Sequence, residues 1–196
     1  MQRAPAREIA LVSEPVSTDE PASDMAAVKR IAAGDRDALA ELYAAYQRPL
    51  FRYLCQLTTD RGLAEEILQD TLVAIWQGAA SFAGRSAVRT WLFAIARRQA
   101  HNTLRKRMLP VADAEALADP VDPEPLPQER ALAHAEFAEL ARGIAALQPI
   151  HREVLVLSLV NGLPYDEIAR IVDVPEGTVK SRLSNARRAL RAWLRD

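Results

Sequence analysis

The sequence predicts an all-α protein built from two small helical domains, which an acidic, proline-rich linker joins. Three observations support this fold class. Apolar residues recur every three to four positions in both halves, neither half alternates apolar and polar residues between turn signals, and prolines and acids concentrate between the halves. With 196 residues, the chain has room for one large or two small domains. A hydrophobic content of 49% excludes disorder throughout.

Charge and proline content divide the chain into four segments. Residues 1–24 carry five acids and two bases and are rich in Pro, Ser and Ala, which predicts a flexible tail. Residues 109–129 contain five prolines, six acids and no base, so they can neither sustain a helix nor bury a core. The other two segments, residues 25–108 and 130–196, carry more bases than acids and form the predicted domains.

The apolar periodicity predicts four helices in each domain. In the N-terminal domain they lie near Met25–Ala33, Arg36–Leu57, Arg61–Gln77 and Ala87–Arg107, with a break at FAGRSA before the last. In the C-terminal domain they lie near Arg130–Ala146, Pro149–Val160, Tyr165–Val172 and Pro175–Leu194. The stretches NGLP and DVPE separate the last three helices and are typical of turns and caps.

The segment LPYDEIARIVDVPEGTVKSRL has the pattern of a helix-turn-helix, whose second helix usually enters the DNA major groove. In that second helix Val179, Leu183, Ala186, Leu190 and Leu194 form one buried stripe. The opposite face carries small hydrogen-bonding groups and cations, although a helical hairpin used only for packing is the alternative interpretation. The candidate DNA contacts are Glu176, Gly177, Thr178, Lys180, Ser181, Arg182, Ser184, Asn185 and Arg188.

A second basic surface is predicted on the helix near Ala87–Arg107. Arg98, His101, Asn102 and Arg105 recur at helical spacing on one face, and no acid occurs from Arg85 to Arg107. Such a stripe suits a polyanion. A cationic face that is merely solvated remains the alternative.

The helix near Leu63–Gln77 presents an unusual acidic face. Glu65, Glu66, Gln69 and Asp70 share that face with Val73 and Trp76. Either another helix covers the two apolar side chains, or they are anchors for a partner that brings arginines to the carboxylates.

The sequence contains no pattern typical of an enzyme. The three histidines are far apart and lack metal-ligand spacing, and neither a phosphate-binding glycine loop nor a nucleophile motif is present. We therefore expect no catalytic site, metal or cofactor.

The single cysteine, Cys55, cannot form an internal disulfide and is assigned no function. Because no apolar run approaches the roughly 20 residues of a membrane span and no secretory signal is present, we expect a cytoplasmic protein.

The order of four segments resembles the extracytoplasmic-function (ECF) sigma factors of bacterial RNA polymerase. These are LYAAYQRPLFRYL, AEEILQDTLVAIWQ, FAGRSAVRTWLFAIARR and, after the acidic linker, LQPIHREVLVLSLVNGLPYDEIARIVDVPEGTVKSRLSNARRAL. The resemblance covers about residues 25–194. It implies an alternative sigma factor that binds core RNA polymerase and promoter DNA, is held inactive by an anti-sigma factor until a signal, and does not insert into membranes.

The resemblance also implies a role for each surface. The acidic face corresponds to the surface that docks on polymerase, comprising Glu66, Gln69, Asp70, Val73 and Trp76. The basic helix and the loop before it correspond to the reader of the minus-ten element, where the loop captures a flipped base; its residues are Phe82, Arg85, Ser86, Arg98, His101, Asn102 and Arg105. The last helix corresponds to the reader of the minus-thirty-five element, and the acidic linker to a segment that threads through polymerase channels.

One departure and two alternatives remain. Many relatives carry Asn and Asp where this chain has Arg98 and Asn102, so the minus-ten sequence preference does not transfer. A stand-alone helix-turn-helix regulator would bind DNA tightly without polymerase, usually as a dimer. A helical interaction protein would use only the Trp76 face and leave the basic faces solvated.

Overall fold

The computed structural model describes residues 21–58, 60–108 and 139–195, which form helices and turns without a strand and so confirm the all-α prediction for that part of the chain. The N-terminal bundle consists of α1 (Pro21–Ala32), α2 (Arg36–Thr58), α3 (Arg61–Gly78), a 3-10 turn (Ala79–Ser81) and α4 (Val88–Met108). The C-terminal bundle consists of α5 (139–145), α6 (Pro149–Leu155) with a π-helical extension (Val156–Val160), α7 (Tyr165–Val172) and α8 (Glu176–Trp193).

The predicted helix boundaries agree with the observed ones within a few residues. The largest difference is at α1, which begins at Pro21, so the last residues of the predicted tail are helical. Asp24 explains the extension, because its buried carboxylate accepts a hydrogen bond from the hydroxyl of Tyr46 in α2. The rest of the tail, the predicted linker and the first half of the predicted Arg130–Ala146 helix lie outside the described residues.

Aspartates fix where α2 and α3 begin. Asp60 is the N-cap of α3, and its side chain accepts a hydrogen bond of 3.0 Å from the backbone N–H of Leu63. Before α2, one oxygen of Asp35 accepts bonds from the N–H groups of Asp37 and Ala38, at 2.9 and 3.1 Å. The bond from Ala38, with the neighbouring Arg30, lowers the pKa of the Asp35 carboxyl.

The N-terminal bundle encloses a core of large side chains from α2, α3 and α4. Tyr53 and Phe93 meet edge to face with their ring centroids 5.4 Å apart, and Leu54, Ile67 and Leu92 are fully buried. The rings gain from this T-shaped geometry in addition to their burial. The core holds α4 against α2 and α3 and so fixes which face of each helix remains outside.

In the C-terminal bundle a tight turn joins α7 to α8 as the helix-turn-helix pattern predicts. Asp173 ends α7 in the left-handed conformation, with φ 54° and ψ 55°, which a short polar side chain tolerates better than most. The N–H of Val174 closes the turn on the carbonyl of Ala169 at 3.1 Å. The predicted stripe on α8 is buried at Val179, Leu183, Ala186 and Leu190. The prediction is wrong for Leu194, which follows the end of α8 and is 41% exposed.

The two bundles pack directly against each other. Helix α2 contacts α6, and α4 contacts α7, so that one continuous apolar cluster extends through both bundles. The side-chain amide of Asn161, just after α6, also donates to the carbonyl of Pro49 in α2 at 3.2 Å. In the described residues no helix is long and apolar enough to cross a membrane.

Gly143 permits a close contact between α5 and α8 in the C-terminal bundle. A Cβ at this position would lie 2.8 Å from both Leu190 and the indole of Trp193. We expect Gly143→Ala to lower the free energy of unfolding by about 1–2 kcal/mol, since overpacking outweighs the helix propensity of alanine. Urea denaturation measures the change. Gly62→Ala is the control, because its Cβ makes only ordinary contact, and equal stability of the two variants would contradict this packing.

Candidate nucleic-acid and protein interfaces

The outward face of α8 is the first candidate interface. Behind it the stripe from Val179 to Leu190 is buried, which holds the helix in one rotational setting. The side chains of Glu176, Lys180, Ser181, Ser184 and Arg188, with Gly177, are exposed, whereas Thr178, Arg182 and Asn185 are half-buried. All nine candidate contacts therefore have some access to solvent.

The polar groups of this face are partly engaged with each other. Lys180 pairs with Glu176 at 2.7 Å, which raises the pKa of the lysine, and Arg188 donates to the Asn185 side chain at 2.8 Å. The hydroxyl of Ser181 donates to the carbonyl of Thr178. These exposed local contacts contribute little to stability, so a ligand can displace them at low cost. Gly177 has no atom within 4 Å of a Cβ position, so nothing in the fold requires a glycine there.

The basic stripe on α4 is the second candidate interface. Leu92 and Ile95 are buried as predicted, and Trp91 is half-buried, so the opposite side of α4 faces outward. Arg98, His101 and Arg105 are exposed and Asn102 is half-buried, and a shallow surface depression lies among the last three. Partial desolvation and, next, the charge of Arg97 lower the pKa of His101. The imidazole is therefore neutral near pH 7 in the free chain.

Helix α4 carries six cations and no acid, but half of these cations already have partners. Arg89 pairs with Glu167 in α7, Arg97 with Glu153 in α6, and Arg107 with Glu66 in α3. The other three form no ion pair within the described ranges; they are Arg98, Arg105 and Lys106. The unpaired cations lie in the second half of α4.

The loop between α3 and α4 carries the third set of predicted residues. Arg85 is exposed, Ser86 is half-buried, and Gly84 adopts a φ of 67° that favours glycine. The ring of Phe82 lies on the indole of Trp91, with centroids 4.7 Å apart. An aromatic pair thus lies at the beginning of the basic helix.

The outer face of α3 is the candidate protein interface. Glu66, Gln69 and Asp70 are exposed, and Val73 is 55% exposed, a high value for a β-branched apolar side chain. Trp76 is half-buried, because it packs partly against the core, and the rest of its side chain remains accessible. Thr71, which the pattern did not single out, is buried and donates to the carbonyl of Ile67. Beside Gln69, an open groove between α2 and α3 is lined by Tyr43, Gln47, Arg48, Phe51, Glu65 and Leu68.

The polar residues that join the two bundles were not predicted from the sequence. Glu153 is buried between Tyr53 and Arg97, and burial together with that carboxylate raises the pKa of Tyr53 well above its usual value. Glu167 accepts bonds from Arg89 and Thr90. One sequence signal existed: Glu153 is the only acid in the apolar run from Pro149 to Val160. The described residues contain no group of three or more His, Cys, Asp or Glu that could hold a metal ion.

Two protein-family models match the chain, one to each bundle. Residues 42–109 match sigma-70 region 2, and residues 137–190 match sigma-70 region 4. The first match includes α3, α4 and the loop between them. The second includes the helix-turn-helix.

Curated sigma factors are similar to this chain over most of their length. RNA polymerase sigma factor YlaC of Bacillus subtilis is 31% identical, over 80% of this chain and 91% of its own. ECF RNA polymerase sigma factor SigL of Mycobacterium tuberculosis is 32% identical, over 88% and 97%. The ECF sigma-E factor of Salmonella typhimurium is 31% identical, over 87% and 94%.

Two solved structures share the fold. CnrH in complex with the cytosolic domain of CnrY superposes with a TM-score of 0.67 at 23% identity, covering 88% of this chain and 97% of CnrH. The sigma factor RpoE of Bartonella quintana, in complex with the anti-sigma factor NepR, superposes with a TM-score of 0.62 at 25% identity, covering 80% and 96%.

The lowered pKa of His101 predicts a pH-dependent stability. Its pKa lies below 6.5 in the folded chain, so the unfolded chain binds the proton more readily. The free energy of unfolding should therefore fall as the pH drops below about 6.5, and His101→Gln should reduce that fall. Urea titrations at about pH 7.5 and about pH 5.5 measure it. If wild type and variant lost equal stability between the two pH values, the pH dependence would not come from His101.

Proposed function

Because this chain belongs to the ECF sigma factors of bacterial RNA polymerase, we propose that it binds core polymerase and directs it to promoters. As an alternative sigma factor it acts in transcription initiation. The observation that carries the detailed proposal is the pair of helices α4 and α8, each of which has a buried apolar side and an exposed basic side. Two separated basic helices suit two separated promoter elements.

In this proposal α8 reads the minus-thirty-five element. The second helix of a helix-turn-helix lies in the major groove with its N-terminal residues at the base edges. On α8 those residues are Gly177, Thr178, Ser181 and Asn185, and Lys180, Arg182 and Arg188 flank them. The first group offers hydrogen bonds to bases. The cations contact phosphates, which position the helix but carry no sequence information.

Helix α4 and the loop before it read and open the minus-ten element. The exposed cations Arg98 and Arg105 contact phosphates, and Asn102 and His101 lie between them for base contacts. Phe82, Arg85 and Ser86 receive a base that leaves the stack. The Phe82 and Trp91 rings supply a stacking surface that offsets part of the cost of unpairing, a few kcal/mol.

The outer face of α3 docks on core polymerase. Val73 and the outer part of Trp76 supply an apolar centre, and Glu66, Gln69 and Asp70 surround it with acceptors. An apolar anchor within a polar rim is the usual arrangement of an interaction hot spot. The carboxylates add specificity for a basic partner and speed its approach.

We infer a non-catalytic protein that needs no cofactor and works in the cytoplasm, where it meets polymerase and promoter DNA. An anti-sigma factor holds it inactive until a signal arrives. The structural neighbour RpoE in complex with the anti-sigma factor NepR supports this partner class.

Run-off transcription tests the proposal directly. Core polymerase is assayed on a promoter library with and without the chain, beside gel shifts of the chain alone. We expect initiation that depends on the chain and weak DNA binding without polymerase. Tight sequence-specific binding with no effect on polymerase would instead identify a stand-alone regulator, and neither activity would identify a helical interaction protein.

Val73 provides a test of the docking face. Val73→Asp places a charge at the apolar centre, and we expect the affinity for core polymerase to fall at least about tenfold. Fluorescence anisotropy of the labelled chain measures it. Leu194→Asp is the control, because Leu194 is also an exposed apolar side chain but lies after α8. Equal affinities of the two variants would contradict docking at α3.

Gly177 tests whether the backbone of α8 approaches DNA closely. Because nothing lies near its Cβ position, Gly177→Ala should leave stability unchanged or raise it by up to about 1 kcal/mol. If the glycine serves close approach to the groove, initiation at promoters that depend on the minus-thirty-five element should fall. Run-off transcription and thermal denaturation on the same preparation measure both effects. Unchanged initiation would show that the backbone of α8 makes no close contact with DNA at Gly177.

A further inference from the structure

Two side chains on the outward face of α8 are joined by a hydrogen bond that fixes what one of them offers to a ligand. Nη2 of Arg188 donates to Oδ1 of Asn185 at 2.8 Å. The residues are three positions apart, a spacing at which helical side chains are neighbours. Because Leu183 and Ala186 are buried, this pair lies on the outer side of the helix. Asn185 therefore meets a ligand with its carbonyl oxygen already occupied.

The orientation of the Asn185 amide follows from the chemistry of its partner. A guanidinium has five N–H donors and no acceptor, so only the oxygen of the amide can face it. Turning the amide over would place two donor groups against each other. Asn185 is also half-buried, and its Nδ2 forms no hydrogen bond with the described residues. The accessible part of the side chain is thus an amino group that only donates.

This orientation changes which base Asn185 can recognise. An unrestrained asparagine pairs with adenine in the major groove through two bonds, one donated to N7 and one accepted from the N6 amino group. With Oδ1 held by Arg188, only the donating half of that pair remains. Guanine presents two acceptors, O6 and N7, whereas cytosine presents an amino donor at the same edge. A donor-only amide therefore favours guanine and disfavours cytosine.

Arg188 can hold Asn185 and contact DNA at the same time. One of its five N–H groups bonds to Asn185, and the others form no hydrogen bond within the described residues. Those groups can donate to a phosphate, which would also immobilise the guanidinium. The bond to Asn185 is weak in water, but it becomes stronger in a groove, where less water competes for either group. The bond is therefore retained when α8 lies on DNA.

The nearby hydroxyl of Ser181 sets no comparable preference. It donates to the carbonyl of Thr178 in the free chain. A hydroxyl can rotate to donate or to accept, and serine contacts either kind of base edge. Asn185 differs from it because a neighbouring side chain determines which of its two polar atoms faces outward.

We propose that Arg188 is a positioning residue that sets the base preference of Asn185, so that α8 selects guanine over adenine at one position of the minus-thirty-five element. Arg188 acts through the Asn185 amide, in addition to its phosphate contact. The proposal rests on the proposed function, in which α8 reads that element. A change at Arg188 should therefore alter which base is read, and not only how strongly DNA is bound.

The test is run-off transcription with core polymerase on a library in which each position of the minus-thirty-five element carries each of the four bases. For the wild type we expect one position at which guanine exceeds adenine by about fivefold or more and cytosine is least active. Arg188→Met frees Oδ1 of Asn185, so the preference at that position should move to adenine. The ratio of two bases within one protein does not depend on the fraction of active protein. An unchanged guanine preference in Arg188→Met would overturn the proposal.

Arg187→Met is the matched control. Arg187 is an exposed arginine next to Arg188 and forms no hydrogen bond with Asn185. Its substitution should lower initiation on all four bases alike. Asn185→Ala should remove the preference, and adding Arg188→Met to it should leave the base ratios unchanged, since Arg188 then has no amide to position. A move to adenine in the control or in the double variant would contradict action through Asn185.

The same experiment separates this proposal from the proposed function. A wild-type chain that directs no initiation would overturn both. A wild-type chain that initiates, but prefers a base other than guanine at the position that Asn185→Ala affects, would overturn only the role of Arg188 and leave the sigma function standing.

Discussion

The arrangement of the two bundles depends on the carboxylate of Glu153. It lies in the most apolar stretch of the C-terminal bundle, where Val154, Leu155, Val156 and Leu157 are also buried. A charge in such surroundings needs partners, and Tyr53 and Arg97 supply them from the other bundle. Beside it, α7 packs along α4 and Glu167 meets Arg89. These polar contacts accompany an apolar cluster that extends through both bundles.

This seam divides the candidate interfaces into two classes. The faces of α8 and α3 are open in this arrangement, because their candidate contacts are exposed or half-buried. The basic face of α4 is only half available, since its first cations are paired with the C-terminal bundle. In the proposed function, the docking face of α3 is therefore accessible without any change at the seam.

Much of the fold was predictable from the sequence, because each helix carries its own periodic apolar stripe and its own boundary signals. Asp60 and Asp35 cap α3 and α2, and Asp173 with Pro175 marks the turn before α8. The error at Leu194 occurs because the residue follows the last turn of α8, where the local pattern ends. The cover of Trp76 was left open, because it comes from neighbouring side chains that the helix pattern cannot represent.

The candidate sites were predictable as faces but not as contacts. Spacing alone placed the outward residues of α8 and α4, since a helix fixes which side chains point together. It did not predict that Arg97 meets Glu153 or that Arg89 meets Glu167, because those pairs join distant segments across the linker. Many acids and bases in the chain are chemically equivalent partners. Only the three-dimensional packing selects among them.

The feature on which the arrangement of the candidate interfaces depends is the packing of the two bundles against each other. The most direct measurement is the distance distribution between spin labels on the two bundles, by pulsed electron resonance. Labels at Ala44→Cys in α2 and Ala189→Cys in α8 occupy exposed positions, with Cys55→Ala removing the native thiol. The packing seen in the structure predicts one narrow distribution of distances for the chain. A broad distribution would contradict this packing.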